Sequence, residues 1–253
     1  MTSVKRVTVR RIAALAPYTE SMHLQRLLTA RRKLGLIPDT LLVLEHAPVF
    51  TLGRLQKSES NLLAGEAEIV SRGATVVQSD RGGNITFHGP GQLVAYPILD
   101  LRNYQRNLKW YTAALEDVMV ETAAAVGVRA SRGVAGETGV WVDERKLGAL
   151  GVRVSRWVSS HGIALNCDTD LTYFDMMVPC GLHAKPAVTS LTSELARRSL
   201  PAVGVAEATP HFLAAFTRVF DCTLEAAVEP GLTLPEYLSK VRVESDECRE
   251  HVE

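Results

Sequence analysis

Short runs of alternating apolar and polar residues open the chain. Val7 and Val9 alternate with polar neighbours across Val4–Ile12, which predicts a half-buried strand. Leu24, Leu27, Leu28 and Leu34 then recur at helical spacing. Three strand-like runs follow: Leu41–Glu45 and Val49–Leu52, parted by His46-Ala47-Pro48, and then Thr75–Gln78. Thr75–Gln78 leads into a glycine-rich stretch, and Leu93–Ile98 leaves that stretch as another strand. Leu108, Tyr111, Leu115, Val118, Met119 and Val126 mark one face of a long helix closed by Gly127. Val140–Val142 and Lys146–Val154 read as a hairpin around Asp143-Glu144-Arg145. Unbroken alternation in its second strand puts Lys146, Gly148, Leu150 and Val152 on one face. Ser159–Leu165 is a further strand, and Phe212, Leu213, Phe216, Val219 and Phe220 mark a late helix. The tail beyond Val243 is charged and expected to fray. Strands and helices mix without strict alternation, which predicts an α+β domain rather than a doubly wound sheet.

Composition narrows the function classes. Of 253 residues, 46% are hydrophobic, enough for a substantial core. Formal net charge is zero, so a wholly basic nucleic-acid binder is not expected. The local basic clusters, Arg31-Arg32-Lys33 and Arg102, Arg106 and Lys109, read as solvated faces. No apolar run approaches the length of a membrane span, and no membrane partner is expected. Cysteines stand at 167, 180, 222 and 248 with no CxxC pair, so reduced thiols are expected rather than a zinc ribbon or disulfides. Lys5, Arg6, Arg10 and Arg11 precede the first acid, Glu20, as in a mitochondrial presequence, but the Val7/Val9 alternation favours a strand there.

Candidate chemistry lies in three places. Gly82-Gly83 and Gly89-Pro90-Gly91 remove side chains where a ligand could approach backbone, and Arg81 and His88 add polar groups at either end. The stretch lacks the GxxxxGK[ST] and GxGxxG phosphate signatures. Cys180 is set between Pro179 and Gly181, whose N–H could meet a developing oxyanion. Cys167, Cys222 and Cys248 fit inert thiols. Lys146, followed by Leu-Gly-Ala-Leu-Gly, could touch a substrate rather than water. A nearby ammonium would stabilise a thiolate, and its neutral form could accept a proton. A snorkelling hairpin lysine is the plainer alternative. His46, His88 and His161 show no HxxxH spacing, so no metal site is expected, and a Cys180–His dyad stays open on residue type.

The blocks EHAPVFTLGR, RGGNITFHGPGQLVAYPILDL, RKLGALGVR, SHGIALNCDTDL and YFDMMVPCGL together resemble the lipoyl(octanoyl) transferases, from about the first strand to Phe220. The resemblance implies a single α+β domain of the biotin/lipoate protein ligase type, with mixed and antiparallel sheets flanked by helices. It assigns residues 1–225 to that domain and 226–253 to a partly disordered C-terminal extension. The implied activity moves octanoyl from octanoyl-acyl carrier protein to a lysine of a lipoyl domain. The acceptors would be 2-oxoacid dehydrogenase E2 subunits and the glycine-cleavage H protein. Cys180 would be the acyl-thioester nucleophile, and Lys146 would lower its pKa and serve as general acid and base. Arg81, Gly82, Gly83, Asn84, Ile85, Thr86, Phe87 and His88 would line the substrate site. Ala149, Leu150, Gly151, Gly162, Ile163 and Ala164 would form further walls, with His46, Tyr96 and His161 close by. Thioester exchange is nearly isoenergetic and aminolysis of a thioester is downhill, so no ATP, metal or other cofactor is expected. The HAKPAVTSL link is longer than usual, and Gly148, standing where alanine or cysteine is common, is expected to enlarge the local space. ALNCDTDL and PDTLL resemble organellar members, so a mitochondrial matrix is expected, with a bacterial cytoplasm as the alternative. An ATP-dependent lipoate or biotin ligase and a non-catalytic acyl-binding module are the competing readings. Arg153, Arg156 and Arg72 are candidates for a basic rim facing the acidic carrier.

Overall fold

Strands buried on both faces organise the molecule. In the computed structural model, which describes residues 4–55, 59–134, 138–178, 187–226 and 233–239, eight strands form one mixed sheet. They are β1 (Lys5–Arg11), β2 (Asp39–Leu44), β6 (Gln92–Ile98), β7 (Ser131–Arg132), β8 (Val140–Val142), β9 (Arg145–Ser155), β10 (Val158–Asn166) and β11 (Cys222–Ala226). Their order is β11-β1-β2-β6-β10-β9-β8-β7. The pairs β11/β1 and β1/β2 are parallel, and the pairs from β2 to β7 are antiparallel. A smaller sheet has the order β4-β3-β5, from β3 (Val49–Leu52), β4 (Thr75–Gln78) and β5 (Thr86–His88).

Period-two alternation sorts the central strands between two cores. Leu41, Val43, Leu93, Ala95, Ile163 and Leu165 face the main core, under α3 (Leu108–Ala125) and α5 (Val205–Phe220). Leu42, Leu44, Val94, Tyr96 and Ala164 face a second core, closed by Leu24 and Leu28 of α1 (Tyr18–Lys33). Leu234, Tyr237 and Leu238, from a helical turn at 234–239, pack into the same layer. A third cluster joins Phe50, Phe87 and Ile85 of the small-sheet region to Phe174, Met176 and Met177 and to Ile69 of α2 (Glu66–Ser71). Of the three long helices among the described residues, α3 and α5 show local end signals. Asn107 caps α3 by accepting the Trp110 N–H, and Glu207 accepts the Gly204 N–H at the start of α5. The short α4 (Leu191–Ala196) starts at Ser190, whose hydroxyl accepts the Ser193 N–H.

The second hairpin strand departs from the expected alternation. Val140 lies opposite Gly148 and Trp141 opposite Lys146, so Leu147 is an extra residue, a β-bulge. Leu147 and Gly148 both face the main core: Leu147 is fully buried there, and a Cβ on Gly148 would meet Met119 Sδ at 2.8 Å. Leu150 and Val152 pack against the same core, while Lys146 turns to the opposite face with Ala149 and Gly151. The reading that grouped Lys146 with Gly148, Leu150 and Val152 is therefore corrected. Gly148 borders the cavity described below with its backbone, but the side chain it lacks would point at Met119 of α3 rather than into that space.

Candidate active site

A cavity of about 400 Å³ lies between the glycine-rich loop and the face of β9 and β10 that carries Lys146. That volume falls within the usual range for small-molecule sites. Ile85, Phe174, Met177 and Val188 give it an apolar lining, and Arg81, His88, Lys146 and His161 bring polar groups.

Lys146 is not a snorkelling lysine. It is 8% exposed, its Nζ donates to Thr138 O at 3.0 Å, and the ammonium lies 5.3 Å from the Trp141 ring centroid. Its backbone is tied to the chain returning at residue 187: Lys146 N donates to Ala187 O at 2.8 Å, and Thr189 N donates to Lys146 O at 3.0 Å. Cys180, flanked by Pro179 and Gly181, lies outside the described residues, as does Cys248. Chain on both sides of that gap borders the cavity, through Met177 and Val188. Cys167 and Cys222 are free and buried, and burial pushes their thiols up to about 12 and about 11, which suits inert residues.

Most of the glycine-rich loop faces the cavity. Arg81, Gly82, Gly83, Asn84, Ile85, Thr86 and His88 border the cavity. Phe87 does not; it is buried in the third core and stacks on Tyr173 with centroids 4.3 Å apart. Arg81 is largely engaged in bracing the loop. Its Nη2 donates to Thr51 O at 2.6 Å, its Nε to Thr51 Oγ1 and its Nη1 to Gly82 O. Ala149, Leu150, Gly151, Gly162, Ile163 and Ala164 border the cavity too, although Leu150 and Ile163 also pack into the main core. At Gly162 a Cβ would sit 2.1 Å from Ala95 O, so only glycine allows β10 to lie this close to β6.

The histidines form an uncharged polar wall. His46 Nδ1–H donates to Ala16 O at 2.7 Å, which leaves Nε2 to accept from Tyr96 OH at 2.7 Å. Burial depresses the His46 pKa to about 4 and raises that of Tyr96 far above its ordinary value. His46 stands behind the cavity surface, whereas Tyr96 reaches it. His88 Nδ1–H donates to Gln92 Oε1 at 2.8 Å. The Gln92 amide passes the chain to Asn166 Oδ1 at 2.9 Å, and Asn166 donates to Thr189 O at 3.0 Å. Burial holds His88 well below its normal pKa, with His46 and Arg81 adding to the effect, so its Nε2 carries a lone pair. His161 is strained at φ +57°, takes the Gln25 side-chain oxygen on its backbone N–H, and donates Nε2–H to Asp80 at 2.8 Å. Burial lowers its pKa despite that carboxylate. Asp80 itself is lowered because His161 and Arg153 outweigh its own burial. Among the described residues no group of three or more His, Cys, Asp or Glu side chains could hold a metal.

Several cavity residues carried no signal in the sequence: Trp141, Thr138, Met177, Val188 and Asn166. Each is placed there by distant contacts rather than by a local pattern.

The mixed sheet with a glycine-rich loop folded over it is a fold shared with solved lipoate protein ligases. The structure of Ta0514, a putative lipoate protein ligase from T. acidophilum, shares the fold with a TM-score of 0.69 over 95% of each chain at 14% identity. Residues 17–217 match the lipoyl protein ligase A/B catalytic domain, and the chain belongs to that family. Within it the chain groups with the octanoyltransferases. It is 50% identical to octanoyltransferase of Rubrobacter xylanophilus over 198 residues, 78% of this chain and 87% of that one. It is 45% identical to the mitochondrial octanoyl-[acyl-carrier-protein]:protein N-octanoyltransferase of Danio rerio over 188 residues, 74% of this chain and 80% of that one. The ATP-dependent ligase and non-catalytic readings are not favoured by these relatives.

Proposed function

We propose that the protein transfers an octanoyl group from acyl carrier protein to a lysine of a lipoyl domain, through a thioester on Cys180. The acceptors on this reading are lipoyl domains of 2-oxoacid dehydrogenase E2 subunits and the glycine-cleavage H protein. One observation carries the reading: a lysine buried in a ligand-sized cavity, with the chain on both sides of Cys180 bordering that cavity. Cys180 follows the cavity-lining Met177 by three residues in the sequence.

In the first half-reaction the Cys180 thiolate attacks the octanoyl thioester carbonyl. The carrier thiolate leaves and takes its proton from the Lys146 ammonium. In the second, the acceptor amine attacks the acyl-cysteine, neutral Lys146 removes the proton from the attacking nitrogen, and Cys180 leaves as thiolate. The cavity's apolar lining holds the acyl tail, at about 0.8 kcal/mol per buried methylene. Relatives come from bacteria and, by their names, from mitochondria, so the chemistry suits either compartment.

Intact-protein mass spectrometry after mixing with octanoyl-carrier tests the assignment. Wild type should gain an octanoyl thioester without ATP and pass it to a lipoyl domain. Cys180→Ala should do neither, and Lys146→Ala should slow both steps by at least about 100-fold. An alanine protein at 180 that still acquires the thioester would overturn the nucleophile.

A further inference from the structure

One peptide unit that accepts a hydrogen bond from Lys146 is gripped from behind by a carboxylate on α3. Lys146 Nζ donates to Thr138 O at 3.0 Å. The N–H of that same peptide, on Gly139, donates to Glu116 Oε1 at 2.8 Å. The carbonyl and N–H of a trans peptide point in opposite directions, so fixing one end aims the other. Gly139 has φ +132°, and a Cβ there would lie 2.8 Å from Lys146 Cε, so glycine lets this peptide pass against the lysine. The surrounding contacts hold the same stretch. Gly133 N donates to Gly139 O at 2.9 Å, and Arg132 pairs with Asp117, the next residue on α3. Glu116 is half-buried, and burial raises its pKa while the Gly139 bond opposes the rise.

We propose that Glu116 is a positioning residue for catalysis: its hydrogen bond to Gly139 N–H orients the Thr138 carbonyl, which fixes where Lys146 Nζ presents its remaining hydrogens and lone pair. This rests on the reading of Lys146 as general acid and base. A lysine tail has several rotatable bonds, and a fixed acceptor removes that freedom before substrate arrives. The second half-reaction needs this most, because the neutral amine can spend one N–H on Thr138 O while its lone pair meets the acceptor amine. This orientation comes from α3, on the opposite side of the sheet edge from the glycine-rich loop.

The test uses the full chain with octanoyl-carrier and a lipoyl domain, comparing wild type, Glu116→Ala, Glu116→Gln and Lys146→Ala. Glutamine keeps an acceptor for Gly139 N–H and alanine does not. Glu116→Ala should lose about tenfold or more in kcat with KM for carrier within about twofold, and Glu116→Gln should restore kcat to within about threefold. Glu116→Leu replaces the alanine protein if that one lacks a cooperative melt. Wild-type kcat in Glu116→Ala, beside an inactive Lys146→Ala, would overturn this inference and leave the lysine's role intact. A glutamine protein as slow as the alanine protein would also overturn it, since the hydrogen bond would then not be what matters. Full activity in Lys146→Ala would remove the underlying reading itself.

Discussion

His46 and His88 lie where a proton would be costly, and that leaves a mark on stability. His46 has its Nδ1–H committed to Ala16 O, its Nε2 accepts from Tyr96, and burial holds its pKa near 4. His88 is lowered in the same direction. In the unfolded chain both rings titrate near 6.5. Between about pH 6.5 and pH 4 the unfolded chain therefore binds more protons than the folded one, so stability falls as acid is added through that window and is whole above it. For His46 alone the difference reaches roughly 3 kcal/mol by pH 4. The melting temperature should drop steeply below about pH 6.5. His46→Gln should melt lower than wild type at pH 8 yet show a shallower decline between pH 6.5 and 4. Parallel declines in the two proteins would remove His46 as a source of the acid sensitivity.

The glycines of β9 and β10 separate the two jobs a missing side chain can do within an element. At Gly148 the nearest obstacle to a Cβ is the end of the flexible Met119 side chain, on the core side of the sheet. At Gly162 it is the Ala95 carbonyl, in the backbone of the neighbouring strand. Gly148→Ala should therefore change stability by about 1 kcal/mol at most, because a shifted Met119 offsets the strand's gain over glycine, and leave acyl-chain preference alone. Gly162→Ala should cost more than about 3 kcal/mol, since β6 and β10 would have to part. Thermal melts and a chain-length series with six-, eight- and ten-carbon donors read both. A changed chain-length preference in Gly148→Ala would mean that its missing side chain shapes the cavity its backbone borders. The same stretch shows where element-level reading stops. Val49–Leu52, Thr75–Gln78 and Val140–Val142 match their strands because a uniform alternation or apolar run fixes them. The bulge at Leu147 does not show, because one extra residue shifts the phase without changing composition, and only the pairing of β8 with β9 reveals it. Likewise α5 begins at Val205, ahead of Pro210, a residue that reads as a helix breaker in sequence.

At the scale of the whole molecule, the α+β class was legible, and so was the glycine-rich stretch that borders the cavity, because it is contiguous in sequence. Part of the wall facing that loop was not. Trp141 and Thr138 meet Lys146 directly, and Glu116 acts through the Gly139 peptide, all at the edge of the large sheet. Of the three arginines read as candidates for a basic rim, two lie together. Arg72 is tied to Asp170 and Thr172 and lies 4.1 Å from the Tyr173 ring centroid, so it is engaged within its own corner of the fold. Arg153 and Arg156, on the β9–β10 hairpin, instead sit near enough to Lys33 at the end of α1 that, after its own burial, they lower the Lys33 pKa. Arg153 also pairs with Asp80, the carboxylate that holds His161 at the cavity. This cationic cluster therefore adjoins the site, where an acidic carrier would deliver its acyl group. Raising ionic strength from about 10 mM to about 150 mM shortens the screening length from about 30 Å to about 8 Å. KM for octanoyl-carrier should rise several-fold over that range while kcat holds. Lys33→Glu and Arg156→Glu, neither of which disturbs the Asp80–His161 pair, should each raise KM at low salt by about threefold or more and flatten its salt dependence. A KM indifferent to salt and to both reversals would place the carrier on another face of the protein.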